Sequence, residues 1–111
     1  MLNWSSGTRV FVAIEPIDLR ASYNKLFALT RSVLQEDPMS GHWFVFTNAD
    51  RNRVKVLFWD GSGLWVCAKR LEQGRFSWPR GEEACARLRT EELLALLSGL
   101  EVKQKAGWFR R

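Results

Sequence analysis

The chain has 111 residues, 46% of them apolar, with six Trp and seven Phe, a formal net charge of +5 and a pI near 9.8. That size suits one hydrophobic core, and the aromatic content excludes a disordered chain. The absence of any apolar run of about 18 residues excludes a membrane-spanning helix.

Residues 9–14, RVFVAI, are β-branched and aromatic and read as a first strand ended by Pro16. Asp18 then suits a helix N-cap. Leu19, Tyr23, Leu26, Phe27, Val33 and Leu34 recur on one helical face, which predicts a long helix over about 19–36, stopped by Asp37-Pro38. SGHWFVFTN is apolar on both parities from Trp43 to Phe46 and should be a central strand covered on both sides. After the turn residues NADRN, RVKVLFW alternates, with Val54, Val56 and Phe58 on one side and Lys55, Leu57 and Trp59 on the other. DGSG turns the chain into LWVCAKRLE, so these two strands form a hairpin.

Gln73-Gly74 is a second turn, and RFSW before Pro79 suits a short fifth strand or an extended edge. The run from Arg80 to Arg89 fits either a loop or a short helix. Thr90 is the expected cap of a final helix, with Glu91 and Glu92 in its positive first turn and Leu93, Leu94, Leu96, Leu97 and Leu100 on its apolar side. Gly99 stands where a helix C-terminus would place one. The fold expected is α+β: a single, mostly antiparallel sheet of four to five strands, one long helix packed on a face, and a shorter C-terminal helix. Residues 1–100 form the expected domain and residues 101–111 a basic, mobile tail. The face opposite the long helix is where Lys55, Trp59, Trp65 and Lys69 are expected.

No catalytic set emerges. His42 is the sole histidine and, after a glycine at a strand start, reads as a hydrogen-bonded structural residue. Cys67 and Cys85 lack metal-ligand spacing and suit free thiols, so no metal or cofactor is expected. Asp60 followed at a distance by Glu101-Val102-Lys103 superficially resembles a nuclease set, but Asp60 is explained by its turn. The opening residues MLNWSSGTRVFV have neither a basic start nor an apolar signal core, which gives a cytoplasmic expectation.

Charge distribution points to polyanions. Residues 51–89 hold nine basic and four acidic side chains, and residues 101–111 hold four and one. Within FWDGSGLWVCAKRLEQGRFSWP, residues 58–79, aromatic and basic side chains interleave as they do on single-strand-binding sheets. Trp59, Trp65, Phe76 and Trp78 are candidate stacking rings, with core packing as the competing role for most of them. The candidate nucleic-acid or partner contacts are Lys55, Lys69, Arg70, Arg75, Trp78 and Arg80. Trp78 is the ring singled out, because it lies beside Pro79 and between Arg75 and Arg80.

Several blocks carry a family resemblance: IDLR at 17–20, DPMSGHWFVF at 37–46, VKVLFWDGSGLW at 54–65, KRLEQGRFSWP at 69–79 and LRTEELLALLSGL at 88–100. Their order resembles the TnpB-type accessory proteins, products of the second open reading frame of insertion-sequence family 66. Ala21, where the family commonly has a lysine, and Cys67-Ala68, in place of a more aromatic pair, depart from that pattern. The resemblance implies a non-catalytic accessory protein of a bacterial transposition system. It also implies association with the transposase and other accessory proteins of the element, and contact with DNA at the element ends. The alternative is a protein-interaction module, anchored by Trp78 or the leucine-rich final helix, with no direct DNA contact.

Overall fold

The computed structural model describes residues 7–99. Five strands and two helices follow in the order β1 (Val10–Ala13), α1 (Tyr23–Ser32), β2 (Trp43–Thr47), β3 (Arg53–Trp59), β4 (Leu64–Arg70), β5 (Cys85–Leu88) and α2 (Thr90–Leu97). They build one sheet with strand order β4-β3-β2-β1-β5. Only β1 and β2 are parallel, as a connection through a helix permits, and the other three pairings are antiparallel.

β2 lies at the centre, and all five of its residues are buried, as its unbroken apolar run requires. Alternation along the strands splits the interior in two. Val10, Val12, Trp43, Val45, Val54, Val56 and Phe58 face Leu93 and Leu96 of α2, together with Phe76 and Trp78. Phe11, Ala13, Phe44, Phe46 and Leu57 face Leu26 of α1, flanked by Leu19 and Leu34. Both sheet faces are therefore covered.

The first helix is ten residues long, shorter than the apolar spacing predicts. Asp18 does not cap it. Its carboxylate instead accepts the Arg20 main-chain N–H at 3.0 Å, and the Ala21 N–H reaches the Asp18 carbonyl at 3.1 Å, so a separate turn precedes the helix. At the far end Gln35 adopts a left-handed φ of 55°, and the Glu36 N–H closes on the Thr30 carbonyl at 3.1 Å. Leu19 and Leu34 still enter the core, but from the flanking turns, while Tyr23 and Val33 are exposed.

The fifth strand is Cys85–Leu88, within the run whose composition fits either a loop or a short helix. It pairs antiparallel with β1 from Val10↔Leu88 to Ala13↔Cys85. RFSW forms no strand; Phe76 and Trp78 are side chains of an irregular segment that packs on the α2 face. Arg89 is the N-cap of α2, one residue before the expected Thr90, and its main-chain N–H donates to Glu92 Oε1 at 2.8 Å. Beyond the helix, Gly99 has φ 71°, and a Cβ there would lie 2.9 Å from Leu71 Cδ2. Glycine is required at that point both by its left-handed backbone and by the leucine beside it. The expected tail at 101–111 and the Glu101-Val102-Lys103 run lie outside the described residues.

Candidate nucleic-acid interface

Strand direction gathers one set of loops. The C-terminal ends of β1, β2 and β4 and the N-terminal ends of β3 and β5 lie at the same end of the sheet. Here the β2–β3 turn meets the segment leaving β4. Arg53 is directly opposite Arg70 in the hairpin register, the Leu71 N–H donates to the Asn52 carbonyl at 2.8 Å, and the Phe76 N–H donates to the Arg51 carbonyl at 2.7 Å. Residues 50–55 and 69–75, joined in this way, hold six cations and two carboxylates.

The turn is built to hold its shape. Asn48 Oδ1 accepts the main-chain N–H groups of Asn52 and Arg53, Asn48 Nδ2 donates to Asn52 Oδ1 at 2.8 Å, and Thr47 Oγ1 donates to the Arg53 carbonyl at 2.8 Å. Arg51 adopts a left-handed φ of 57° within it. Side-chain amides thus satisfy the main chain of the β2–β3 turn and fix where Arg53 leaves the sheet.

The six cations differ in their freedom. Lys55 Nζ donates to the Ala21 carbonyl at 2.8 Å, and Lys69 Nζ to the Leu97 carbonyl at 2.7 Å, so both ammonium groups already serve the fold. Arg70 pairs with Glu72 at 3.2 Å, both largely exposed, a contact worth about 0–1 kcal/mol and readily exchanged. Arg51 is half-buried, with its Nε enclosed and without a hydrogen bond among the described residues. Arg53 and Arg75 are exposed, and their guanidinium groups make no ion pair among the described residues. Sequence reasoning chose Arg70 and Arg75 but overlooked Arg53 and Arg51. Their signal was present in the turn residues NADRN, but only the hairpin register brings them beside Arg70.

The expected face shared by Lys55, Trp59, Trp65 and Lys69 does not exist. Hairpin pairing puts Trp65 opposite Phe58 and Lys69 opposite Val54, on the α2 side, whereas Lys55 and Trp59 lie on the α1 side. Trp78 is also corrected. It is 3% exposed, and its indole N–H donates to the Ala13 carbonyl at 2.8 Å, so the ring belongs to the core. Phe76 is buried beside it. Arg80 is exposed, but in the loop before β5 rather than at the β3–β4 corner. Of the four candidate stacking rings only Trp65 is well exposed, at 43%. It extends a row of rings across three strands, Trp43 on Phe58 at 4.8 Å and Phe58 on Trp65 at 6.1 Å.

Asp60 holds the other end of the hairpin. Its carboxylate accepts from the main-chain N–H groups of Ser62 and Gly63, from Ser62 Oγ and, at 2.8 Å, from Trp65 Nε1. The Trp65 indole donor, followed by the two main-chain donors, holds this carboxyl well below the usual range. His42 Nδ1 accepts the Arg9 main-chain N–H at 3.1 Å, and its ring meets Phe11 edge-on, which is the structural role expected for it. Both cysteines are free thiols, Cys67 exposed and Cys85 half-buried, and burial pushes the Cys85 thiol up. Among the described residues no three His, Cys, Asp or Glu side chains converge to hold a metal ion. No helix among them is long and apolar enough to cross a membrane.

The family described as IS66 Orf2 like protein matches residues 8–107. The "Uncharacterized protein y4jC" of Sinorhizobium fredii is 38% identical over 108 residues, covering 95% of this chain and 92% of the relative. The "Uncharacterized protein y4hO" of the same organism is 34% identical over 101 residues, covering 91% and 88%. No solved structure matches the chain. With the family match extending across all five strands and both helices, the chain belongs to the IS66 Orf2-like family of insertion-sequence accessory proteins.

Proposed function

We propose that this chain is a non-catalytic accessory protein of insertion-sequence transposition that holds DNA by its phosphates at the Arg53–Arg70 corner. The observation that carries the reading is the placement of Arg53 directly opposite Arg70, with the Arg51 carbonyl accepting the main-chain N–H of Phe76 and so drawing the neighbouring Arg75 to the same corner. Like charges directly opposite one another destabilise a sheet. A phosphate between them removes that repulsion and accepts paired guanidinium hydrogen bonds. Arg53 and Arg75 are ready for such contact, and Arg70 reaches it by releasing Glu72.

This reading shifts the contact set away from Lys55, Lys69, Trp78 and Arg80 toward Arg53, Arg70 and Arg75. The competing reading, docking on transposase partners without DNA contact, loses Trp78 as its anchor. The test is binding of a labelled element-end duplex by the full chain across a series of salt concentrations. Affinity should fall steeply with salt, and Arg53→Glu with Arg70→Glu and Arg75→Glu should abolish it while leaving the circular dichroism spectrum intact. Binding that is absent, or indifferent to salt, would sink the proposal; capture of the transposase by a protein that ignores DNA would favour the docking alternative.

A further inference from the structure

The sheet has two edges, and they are protected unequally. β5 is four residues long, carries the exposed Arg87 within it and is followed by Arg89. β4 is seven residues long and pairs continuously with β3 from Arg53↔Arg70 to Trp59↔Leu64, and no proline interrupts it. Its outer side pairs with no strand among the described residues. Proteins commonly blunt such an edge with charge, proline or a bulge, and from Leu64 to Ala68 this one has no charged residue.

Hydrogen bonding defines which main-chain groups are unused. The Asp60 N–H bonds the Gly63 carbonyl at 3.0 Å, and the Leu71 N–H bonds the Asn52 carbonyl at 2.8 Å. Hydrogen-bonded and non-bonded pairs alternate between these two points. Trp65, Cys67 and Lys69 therefore turn their main-chain groups toward β3, while Leu64, Val66, Ala68 and Arg70 turn theirs outward. Cys67 is the middle residue of the strand and is exposed.

We propose that β4 is a self-pairing edge, joining two copies of this chain antiparallel about a two-fold axis at Cys67. Side-chain complementarity selects a second copy in this register. Lys69, its ammonium group kept on the Leu97 carbonyl, lays its aliphatic stem opposite the exposed Trp65 of the other copy, and Arg70 meets Leu64, so no two like charges are opposed. Val66 meets Ala68 on the other face. The outward groups form about eight main-chain hydrogen bonds, and the two Cys67 Cα atoms come to about 4.5 Å, the spacing of a non-bonded antiparallel pair. The two five-stranded sheets become one continuous sheet with one isologous interface. The inference is independent of the DNA reading.

Sedimentation of the wild-type chain should give a species of twice 12.9 kDa that dissociates on dilution. Ala68→Pro removes only an outward N–H, so it should yield monomer with an unchanged circular dichroism spectrum. Cross-linking requires no change to the strand. Diamide, reduced as it accepts two electrons and two protons from a pair of thiols, should link wild-type and Cys85→Ser chains through Cys67 within the range of disulfide geometry. Cys67→Ser should remain unlinked. A wild-type monomer at all concentrations, linkage through Cys85, or a dimer that survives in folded Ala68→Pro would each overturn the proposal. If Ala68→Pro fails to fold, the Cys67 cross-link alone decides.

Discussion

Lys69 on β4 donates from Nζ to the main-chain oxygen of Leu97, the last residue of α2, at 2.7 Å. Carbonyls in the final turn of a helix have no partner within it, and a cation there also meets the negative end of the helix dipole. No basic residue occupies the last turn of α2, so Lys69 supplies across the sheet face what the helix lacks. Lys69→Met keeps the aliphatic stem and removes the ammonium group. It should destabilise the fold by about 0.5–1 kcal/mol and lower the thermal midpoint by about 2–8 °C. Thermal unfolding followed by circular dichroism checks this, and an unchanged midpoint would mean that the contact contributes nothing.

Trp78 acts through the interior. Trp78→Ala should cost about 3–5 kcal/mol, a large part of the stability of a domain this size. Trp78→Phe should cost about 1–3 kcal/mol, because the ring is largely retained while the Ala13 carbonyl loses its donor. Urea unfolding should show lower midpoints for both variants. Any loss of partner capture in Trp78→Ala should parallel the fraction unfolded; loss from a fully folded variant would restore a direct role for this ring.

Gly99→Ala combines two costs, a left-handed φ of 71° and a Cβ 2.9 Å from Leu71 Cδ2. Leu71 can shift only by disturbing the contacts that seat it on the α2 face. A loss of about 1–2 kcal/mol is expected from the backbone and crowding together. The double variant with Leu71→Ala should show a smaller additional loss from Gly99→Ala than the wild type does. A strictly additive pair would show that the methyl contact is unimportant.

Acid should loosen both turn carboxylates. The Arg20 side-chain hydrogen bonds hold Asp18 down to about 2 from the ordinary 3.8, and Asp60 is lowered chiefly by Trp65. A carboxyl whose pKa is lower folded than unfolded stabilises the fold above the unfolded value and ceases to do so as pH falls through the folded one. For Asp18 that window runs from about pH 4 to about pH 2. For Asp60 the loss begins below about pH 4. The Trp65 indole N–H resonance should move as Asp60 takes up its proton, and Asp60→Asn should remove that titration. A resonance insensitive to acid would contradict the hydrogen bond.

Alternation made the β3–β4 hairpin and the central β2 legible, because Val54, Val56 and Phe58 share one parity and Trp43 to Phe46 are apolar on both. The end of α1 was less so. The apolar spacing of Leu19 and Leu34 is compatible with one long helix, but Asp18 binds the main chain locally and Gln35 turns left-handed, breaking the helix at both ends. β5 has only four residues, and its identity as a strand comes from pairing with β1, a contact about 75 residues away that no local pattern records. The candidate site was legible in composition and not in placement. Arg70 and Arg75 stood out by their aromatic neighbours, yet those neighbours, Phe76 and Trp78, proved interior. Arg53, the residue across from Arg70, looked like ordinary turn chemistry.

The cations of the β3–β4 corner should separate in their contribution to DNA binding according to their existing partners. A phosphate-contacting residue changes the dependence of log affinity on log salt by about one unit when it is neutralised. Arg53→Ala and Arg75→Ala should each do so, since neither guanidinium has an ion pair to break among the described residues. Arg70→Ala should act similarly, the exposed Glu72 pair being a weak competitor. Lys55→Ala and Lys69→Ala should leave the slope nearly unchanged, because their ammonium groups are occupied by the Ala21 and Leu97 carbonyls. Affinity for one duplex measured for all five variants across a salt series tests the ranking. Equal slopes for lysine and arginine variants would point to diffuse attraction by net charge, and larger effects from the lysines would place the contact surface elsewhere.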